Sequence, residues 1–335
     1  MNNNNKPYIN KLLFIVLSIG LLSSLVSGCT LIPTESPGSL TPITLNLTYI
    51  PNIQFAPIYV AIQNGYFAEY GLDVSLNYGN EADMIALVGS GNQSFMIASG
   101  EQVLLSRAQG VPVVYVAAWY QDYPVGVVSF SDKDIRVPDS MAGRDIGIPG
   151  LFGASYIGFE ALRSSANLSE KDVRLIPIGF NQVESLVSEQ VEAAVIYIAN
   201  EPVVLKSLGY DVSVIRVTDY LELVGNGIVT NEDTIKKDPD LVRQITSAFL
   251  KGVRFCQDSP DEAFEISKSF VENLSSSDGV VQKEILAESI KLWQTEEPGY
   301  SAASGWINMQ QLLLNIGMMT SPINLDEAFT NDFIK

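Results

Sequence analysis

The chain has no histidine and only two cysteines among its 335 residues. Ser-His-Asp and Cys-His catalysis and most zinc sites need an imidazole, so these are excluded. Carboxyls, amides, hydroxyls and aromatic rings remain. Such groups hold and read a molecule, and no cofactor or metal is expected. The densest aromatic run is Trp119-Tyr120-Gln121-Asp122-Tyr123, directly after the apolar stretch Val113–Ala118. Rings that follow a buried strand either form a flat wall for a ligand ring or pack a hinge. Phe55 and Tyr59 stand four residues apart at a helix start and share a face. They either stack on a ring or belong to the core.

Polar candidates recur where an apolar run gives way to a helical pattern. In Pro51-Asn52, proline fixes the backbone, and Asn52 either caps the helix or offers its amide to a ligand. Ser99-Gly100-Glu101-Gln102 presents backbone N–H groups to an acceptor. The plainer reading makes Ser99 a cap and Glu101 a charge that favours the helix dipole. Gly150-Leu151-Phe152-Gly153-Ala154-Ser155 is a glycine-rich turn in which Phe152 and Ser155 are candidates. It lacks the lysine and spacing of a P-loop, so nucleotide hydrolysis is not indicated. Asn181 holds the equivalent place after a later strand, and Tyr197 and Glu201 flank another.

The elements that position these residues follow from periodicity. Strands are predicted at Ile43–Tyr49, Leu72–Tyr78, Ser94–Ala98 and Val113–Ala118. Helices at Pro57–Phe67, Ala82–Gly89 and Gln102–Ala108 alternate with them. A second set has strands at Val125–Ser129, Asp145–Ile148, Val173–Ile178, Ala193–Tyr197 and Val212–Val217. Its helices are Ser155–Ser164, Gln182–Ser188 and Pro202–Leu208. The chain returns through Gly225–Thr230 and is nearly all helical after Asn231. This alternation implies an α/β fold with mostly parallel sheets covered on both faces. Two lobes are expected, residues 43–127 with 231–335 and residues 128–230, with a cleft between them and two crossings as the hinge.

The N-terminus carries a different signal. Lys6 and Lys11 lead into Leu12–Val26, about fifteen almost wholly apolar residues. A hydrocarbon core needs roughly 20 residues, so this run suits the h-region of a secretory signal. It closes on Leu25-Val26-Ser27-Gly28-Cys29, which resembles a bacterial-type lipobox. The expectation is a signal peptide over 1–28, a lipid on Cys29, a flexible tether over 29–42 and folding from Ile43. Losing Lys6 and Lys11 takes the chain from −18 to −20, with 18 basic against 38 acidic residues. Such a surface repels nucleic acid and argues against a strongly anionic ligand. Cys256 then stands alone in the amphipathic pattern Leu241–Gln257 and is expected to be a buried, inert thiol.

The segment Tyr49-Ile50-Pro51-Asn52-Ile53-Gln54-Phe55-Ala56-Pro57-Ile58-Tyr59-Val60-Ala61, followed by Asn64-Gly65-Tyr66-Phe67 and Gly71-Leu72-Asp73-Val74, carries a family resemblance. Ala98-Ser99-Gly100-Glu101-Gln102, Gly143–Gly150 and Asn200-Glu201-Pro202 add to it. It resembles solute-binding proteins related to thiamine-pyrimidine synthase, among them binders of thiamine pyrimidine precursors, alkanesulfonates, nitrate and riboflavin. Ile53-Gln54-Phe55-Ala56-Pro57 is most similar to riboflavin-binding members. Pyrimidine-precursor binders tend to carry a histidine after the Pro-Asn pair, and this chain has none. The synthase branch relies on a cysteine-rich segment and a histidine, both absent here, so synthase activity is not implied.

The resemblance implies a type II-like periplasmic-binding-protein fold. With the lipobox, it implies a monomeric, extracytoplasmic component of an ABC importer, anchored by the lipid on Cys29, with permease and ATPase subunits as partners. Rings would stack on a small N-heterocycle, riboflavin or a related vitamin precursor. Amides and Glu201 would read its edge, and hinge closure would bury it. A thiamine pyrimidine precursor remains the alternative ligand, and a sensing receptor the alternative role. Sulfonate or nitrate is disfavoured because the candidate cleft has no basic cluster. Arg107 and Arg144 read as scaffold positions.

Overall fold

Strand direction in this protein follows from where the chain crosses between two sheets. A computed structural model describes residues 40–272, 274 and 279–334. The expected signal peptide, Cys29 and the tether as far as residue 39 lie outside the described residues. The fold opens at β1 (Thr41–Thr48), two residues ahead of the expected Ile43. It is followed by β2 (Leu72–Gly79), β3 (Phe95–Ala98) and β4 (Val113–Ala118). Between them lie α1 (Ala56–Gln63), α2 (Glu81–Gly89) and α3 (Gly100–Ala108). The second set comprises β5 (Val125–Phe130), β6 (Asp145–Ile148), β7 (Arg174–Pro177), β8 (Ala193–Tyr197) and β9 (Val212–Arg216). Its helices are α4 (Gly153–Ser165), α5 (Gln182–Val187) and α6 (Glu201–Ser207).

The chain returns through β10 (Gly227–Asn231) and ends in helices α7 (Glu232–Lys237), α8 (Pro239–Asp258), α9 (Pro260–Ser267), α10 (Gly279–Trp293) and α11 (Ala303–Asn315). One five-stranded sheet has the order β2-β1-β3-β10-β4, the other β7-β6-β8-β5-β9. The fold is α/β with two lobes.

The expected parallel pairing holds for β1 with β2 and β3, and for β6 with β7 and β8. β10 runs antiparallel to β3 and β4, and β5 antiparallel to β8 and β9. The reason is connectivity. The chain leaves β4 at its carboxyl end, crosses, and enters the second sheet at the same end. Its first strand there must oppose the strands that finish at that end, and the return through β10 repeats the geometry. Pairing assigns all of Val125–Phe130 to the second sheet and all of Gly227–Asn231 to the first. The boundaries expected at 127/128 and 230/231 therefore fall inside strands, and the crossings are residues 119–124 and 217–226.

The helix expected over Pro57–Phe67 is shorter. Asn64 ends α1, and Gly65 takes a positive φ of 73°, a conformation open to glycine. The longest helix among the described residues, α8, shows the pattern that anchors the first lobe. Val242, Ile245, Thr246, Phe249, Gly252, Val253 and Cys256 are buried along one stripe, at the spacing of an amphipathic helix. Asp238 caps it through the Leu241 N–H at 3.0 Å. It packs on α1 so closely that a Cβ on Gly252 would lie 2.0 Å from the Pro57 carbonyl oxygen. Cys256 is fully buried, and desolvation pushes its thiol well up, as expected of an inert cysteine. One apolar cluster runs from Tyr115, Trp306 and Val103 in the first lobe through Tyr123 to Ile146 and Ile157 in the second. The lobes thus share a core across the first crossing.

Candidate functional site

Strand register places the candidate residues. Ala98 pairs with Gly227, and Gly227 pairs with Ala118. Neighbouring strands lie about 4.8 Å apart, so Ser99, Asn226 and Trp119 emerge side by side. Thr48 pairs with Gly79, and the Tyr49 N–H donates to the Gly79 carbonyl at 3.0 Å. The turns leading to Asn52 and to Glu81 therefore leave the same end of the first sheet. In the second sheet Val125 opposes Tyr197 and Gly126 opposes Arg216. Tyr123, Gly150–Phe152, Phe180–Asn181 and Tyr197–Glu201 leave its corresponding end. Carboxyl ends of strands, two crossings and helix N-termini thus meet where an open α/β sheet binds ligands.

The two lobes touch here. The Tyr49 and Phe180 rings lie 4.8 Å apart, from opposite sheets. The Tyr123 hydroxyl donates to the Ala154 carbonyl at 3.0 Å. Ala199 and Val203, at the start of α6, pack in the apolar cluster of the first lobe.

The aromatic candidates Phe55, Trp119 and Tyr120 pack into one wall of rings, which Trp293 joins. Trp119 lies 5.7 Å from Phe55, 5.0 Å from Tyr120 and 5.5 Å from Trp293, by ring centroids. All four rings are largely buried. Gln54 reaches across to the Tyr120 hydroxyl at 3.5 Å and the Ser289 hydroxyl at 3.3 Å. Tyr59 is not part of the wall. It has no exposure, and it stacks on Phe270 at 4.6 Å with only 8° between planes. Its hydroxyl contacts the Tyr78 hydroxyl at 3.1 Å and accepts the Asn52 N–H at 3.3 Å. The shared helical face holds for the backbone, but Tyr59 sits behind Phe55 and braces the Asn52 turn. Burial and the Tyr78 contact keep its phenol protonated.

The polar candidates divide. Asn52 caps the short 3₁₀ turn Ile53–Phe55 by accepting the Gln54 N–H at 2.9 Å. The Ser99 N–H, expected to be free, donates to Glu81 Oε1 at 2.7 Å. Ser99 Oγ contacts that same oxygen at 2.9 Å and Glu101 Oε1 at 2.5 Å. Glu101 is fully buried, and its Oε2 has no hydrogen-bond partner. Desolvation, and then the charge of Glu81, raise its carboxyl above the usual range.

Glu201 is buried at the first position of α6. It accepts the Tyr197 N–H at 3.0 Å and an Asn200 amide N–H at 3.2 Å. Burial outweighs these bonds and pushes its carboxyl up to about 7. Its charge, after desolvation, also raises the Tyr49 phenol across the cleft. Tyr197 and Ser155 are half-buried, Ser155 in the first turn of α4. Phe152 is 62 % exposed at the rim. Asn181 is exposed and turns its amide back to the Ile178 carbonyl at 3.1 Å, so it closes its own turn.

The sequence did not single out Glu81, Tyr49, Phe180 or Trp293 as site residues, and Tyr123 came forward only within the aromatic run. A signal existed for Glu81. Asn80-Glu81 follows an alternating strand and opens a helix, as Ser99–Glu101 and Asn200-Glu201 do. Trp293 ends α10, far along the chain, and nothing local marks it. Arg107 and Arg144 are scaffold, as expected. Arg107 bonds the Val113 carbonyl, Glu232 and Glu327, and Arg144 bonds Glu192. Between the two sheets' strand ends, the helix starts carry Glu81, Glu101 and Glu201, the crossings add Asp122, Asp219 and Glu222, and Arg216 at the end of β9 is paired with Asp122 at 3.2 Å. The arrangement suits a flat, neutral molecule held against rings and read at its edge by carboxyls and amides.

Known proteins match this architecture. The chain is 34 % identical over 341 residues to the riboflavin-binding protein RibY of Chloroflexus aurantiacus, with 95 % of this chain and 97 % of that protein covered. It is 28 % identical over 331 residues to the formylaminopyrimidine-binding protein of Halalkalibacterium halodurans, covering 95 % and 98 %. The solved periplasmic aliphatic sulphonate binding protein SsuA of Escherichia coli superposes with a TM-score of 0.70 at 11 % identity, over 88 % of this chain and 93 % of that one. Among the described residues no helix is long and apolar enough to cross a membrane. The NMT1/THI5-like family model matches residues 52–263, which include Phe55, Trp119, Tyr120, both crossings and all three carboxyls but not Trp293, and the chain belongs to that family.

Proposed function

We propose that this protein is the extracytoplasmic solute-binding component of an ABC importer and that it captures riboflavin or a closely related N-heterocycle. The observation that carries the reading is the wall of Phe55, Trp119, Tyr120 and Trp293. It stands beside buried Glu201, in a cleft whose bordering arginine, Arg216 at the end of β9, is already paired with Asp122. A flavin or aminopyrimidine ring stacks on such a wall, and Glu201 and the Asn52 and Asn200 amides accept and donate at its edge. Ser155, Tyr197 and exposed Phe152 complete the opposite face. Tyr49 and Phe180 meet at the mouth when the lobes close. No bond is made or broken, and the closed lobes present one surface to the permease. A lipid on Cys29 would hold the protein at the outer face of the cytoplasmic membrane as a monomer.

Relatedness supports the ligand class, since the riboflavin-binding relative aligns along 95 % of this chain. A second reading, a thiamine pyrimidine precursor, is favoured by the formylaminopyrimidine-binding relative of equal coverage. The test is a riboflavin fluorescence titration of the domain from Leu40, with the formylaminopyrimidine as competitor. Saturable quenching that Trp119→Phe weakens and Glu201→Gln weakens separately supports the flavin reading. Binding of the pyrimidine without quenching transfers the assignment to the second reading. Silence with both overturns the ligand class.

A further inference from the structure

The cluster at the end of β3 constrains where a proton sits. Ser99 Oγ lies 2.9 Å from Glu81 Oε1 and 2.5 Å from Glu101 Oε1. A serine hydroxyl has one proton and gives it to one acceptor. The other short contact needs a second proton, which only a carboxyl supplies. Glu81 also accepts the Ser99 N–H at 2.7 Å, so Glu81 is the ionised member and Glu101 the neutral one. Burial raises both carboxyls, and for Glu101 the neighbouring charge adds to it.

Independent atoms point to a ligand. Glu101 Oε2 is buried without a partner, and so are Asn226 Oδ1 and Trp119 Nε1. The Ala98–Gly227–Ala118 register brings these residues to one sheet end. Two unsatisfied acceptors and one unsatisfied donor complement a molecule that both donates and accepts.

Charges around the pair do not neutralise it. Tyr123 from the first crossing and Tyr197 from β8 face it as phenols whose ionisation burial suppresses. Asp83, two residues along α2, is exposed. Arg107 on α3 is bound to Glu232 and Glu327, Arg163 on α4 to Glu160, and Arg216 to Asp122. The adjoining α11 has no charged residue. Among the described residues no lysine or arginine pairs with Glu81 or Glu101.

We propose that Glu81, Ser99 and Glu101 form a one-proton carboxyl pair that accepts a neutral N–H or O–H donor of the ligand and excludes the anionic ester of the same ring system. The inference rests on the flavin reading above. Neutral Glu101 offers Oε2 as the acceptor. A phosphate there meets the charge on Glu81 in a desolvated setting, where Coulomb repulsion is weakly screened. Once the pair loses its proton, the phosphate meets two charges.

The test compares riboflavin with riboflavin 5′-phosphate by fluorescence titration at pH 7 and pH 9, in wild type and Glu101→Gln. In wild type the preference for the neutral compound exceeds about tenfold and grows several-fold with pH. In Glu101→Gln, where no second charge can form, the preference stays flat with pH. Equal affinity for the two compounds in wild type, or the same slope in both proteins, overturns the proposal. If wild type binds neither compound the flavin reading fails, and the pair is tested without ligand. Melting curves from pH 5 to pH 9 then show wild type losing stability relative to Glu101→Gln as pH rises; parallel curves overturn the one-proton pair. Should circular dichroism show Glu101→Gln unfolded, Glu101→Met, which likewise cannot ionise, gives the same readouts.

Discussion

Replacing Glu201 with glutamine separates the cost of its burial from its hydrogen bonds. The carboxyl is raised from 4.5 to about 7 because burial outweighs the bonds from the Tyr197 N–H and the Asn200 amide. A rise of that size, at about 1.4 kcal/mol for each pH unit, corresponds to about 3 kcal/mol. The folded protein holds this proton more tightly than the unfolded chain. Its contribution to stability is therefore complete below about pH 4.5 and is lost as pH climbs through 7. Glutamine keeps an oxygen for the Tyr197 N–H and has no proton to lose. Melting temperatures of wild type and Glu201→Gln, measured from pH 4 to pH 8 at fixed ionic strength, isolate the effect, because every other titrating group cancels in the difference. At the entropy of unfolding of a domain of this size, the wild-type value falls by about 5 °C relative to the variant. Curves that stay parallel across the range refute the burial of this carboxyl, and with it the enclosed geometry of the cleft around α6.

Other perturbations test separate parts of the structure. Trp119→Ala removes a ring packed against Phe55, Tyr120, Phe249 and Trp293. It should lower stability by about 3–5 kcal/mol in urea unfolding and abolish flavin quenching. Gly252→Ala puts a Cβ 2.0 Å from the Pro57 carbonyl oxygen; despite alanine's better helix propensity, the denaturation midpoint should fall by an amount equivalent to about 1–3 kcal/mol. Tyr49 has a positive φ of 77°, so Tyr49→Gly should relieve about 1 kcal/mol of strain while speeding ligand release in stopped flow, because the Phe180 contact is lost. Cys256 should resist a thiol reagent at mildly alkaline pH in the folded protein and react fully in guanidinium chloride.

Much of the scaffold was legible because its signals are local. Val113–Ala118, Asp145–Ile148 and Ala193–Tyr197 are strands over the residues that periodicity assigned. Each is a short apolar run bounded by turn or capping residues, and a strand covered on both faces leaves that mark in composition. The alternation of strand and helix made the α/β class readable, and the missing histidine ruled out whole classes of chemistry. Helix starts were legible too, which is how Ser99, Glu101 and Glu201 came forward.

The amino-acid sequence by itself thus determined the element types, the α/β class, the acidic balance and the stock of side chains available to the cleft. Only the tertiary structure decided strand direction, since β5 and β10 run antiparallel as a result of crossing between sheets, which no window of neighbouring residues encodes. It also decided which candidates work together. Tyr59 and Phe55 lie four residues apart on adjoining turns, yet packing against Phe270 draws Tyr59 into the core and leaves Phe55 in the wall. Trp293 joins Trp119 from far along the chain, and Glu81 meets Glu101 through Ser99 only because β2, β1 and β3 end in register. Side-chain burial and hydrogen-bond partnership are properties of three-dimensional neighbours, and those neighbours are set by sheet pairing over long separations in sequence.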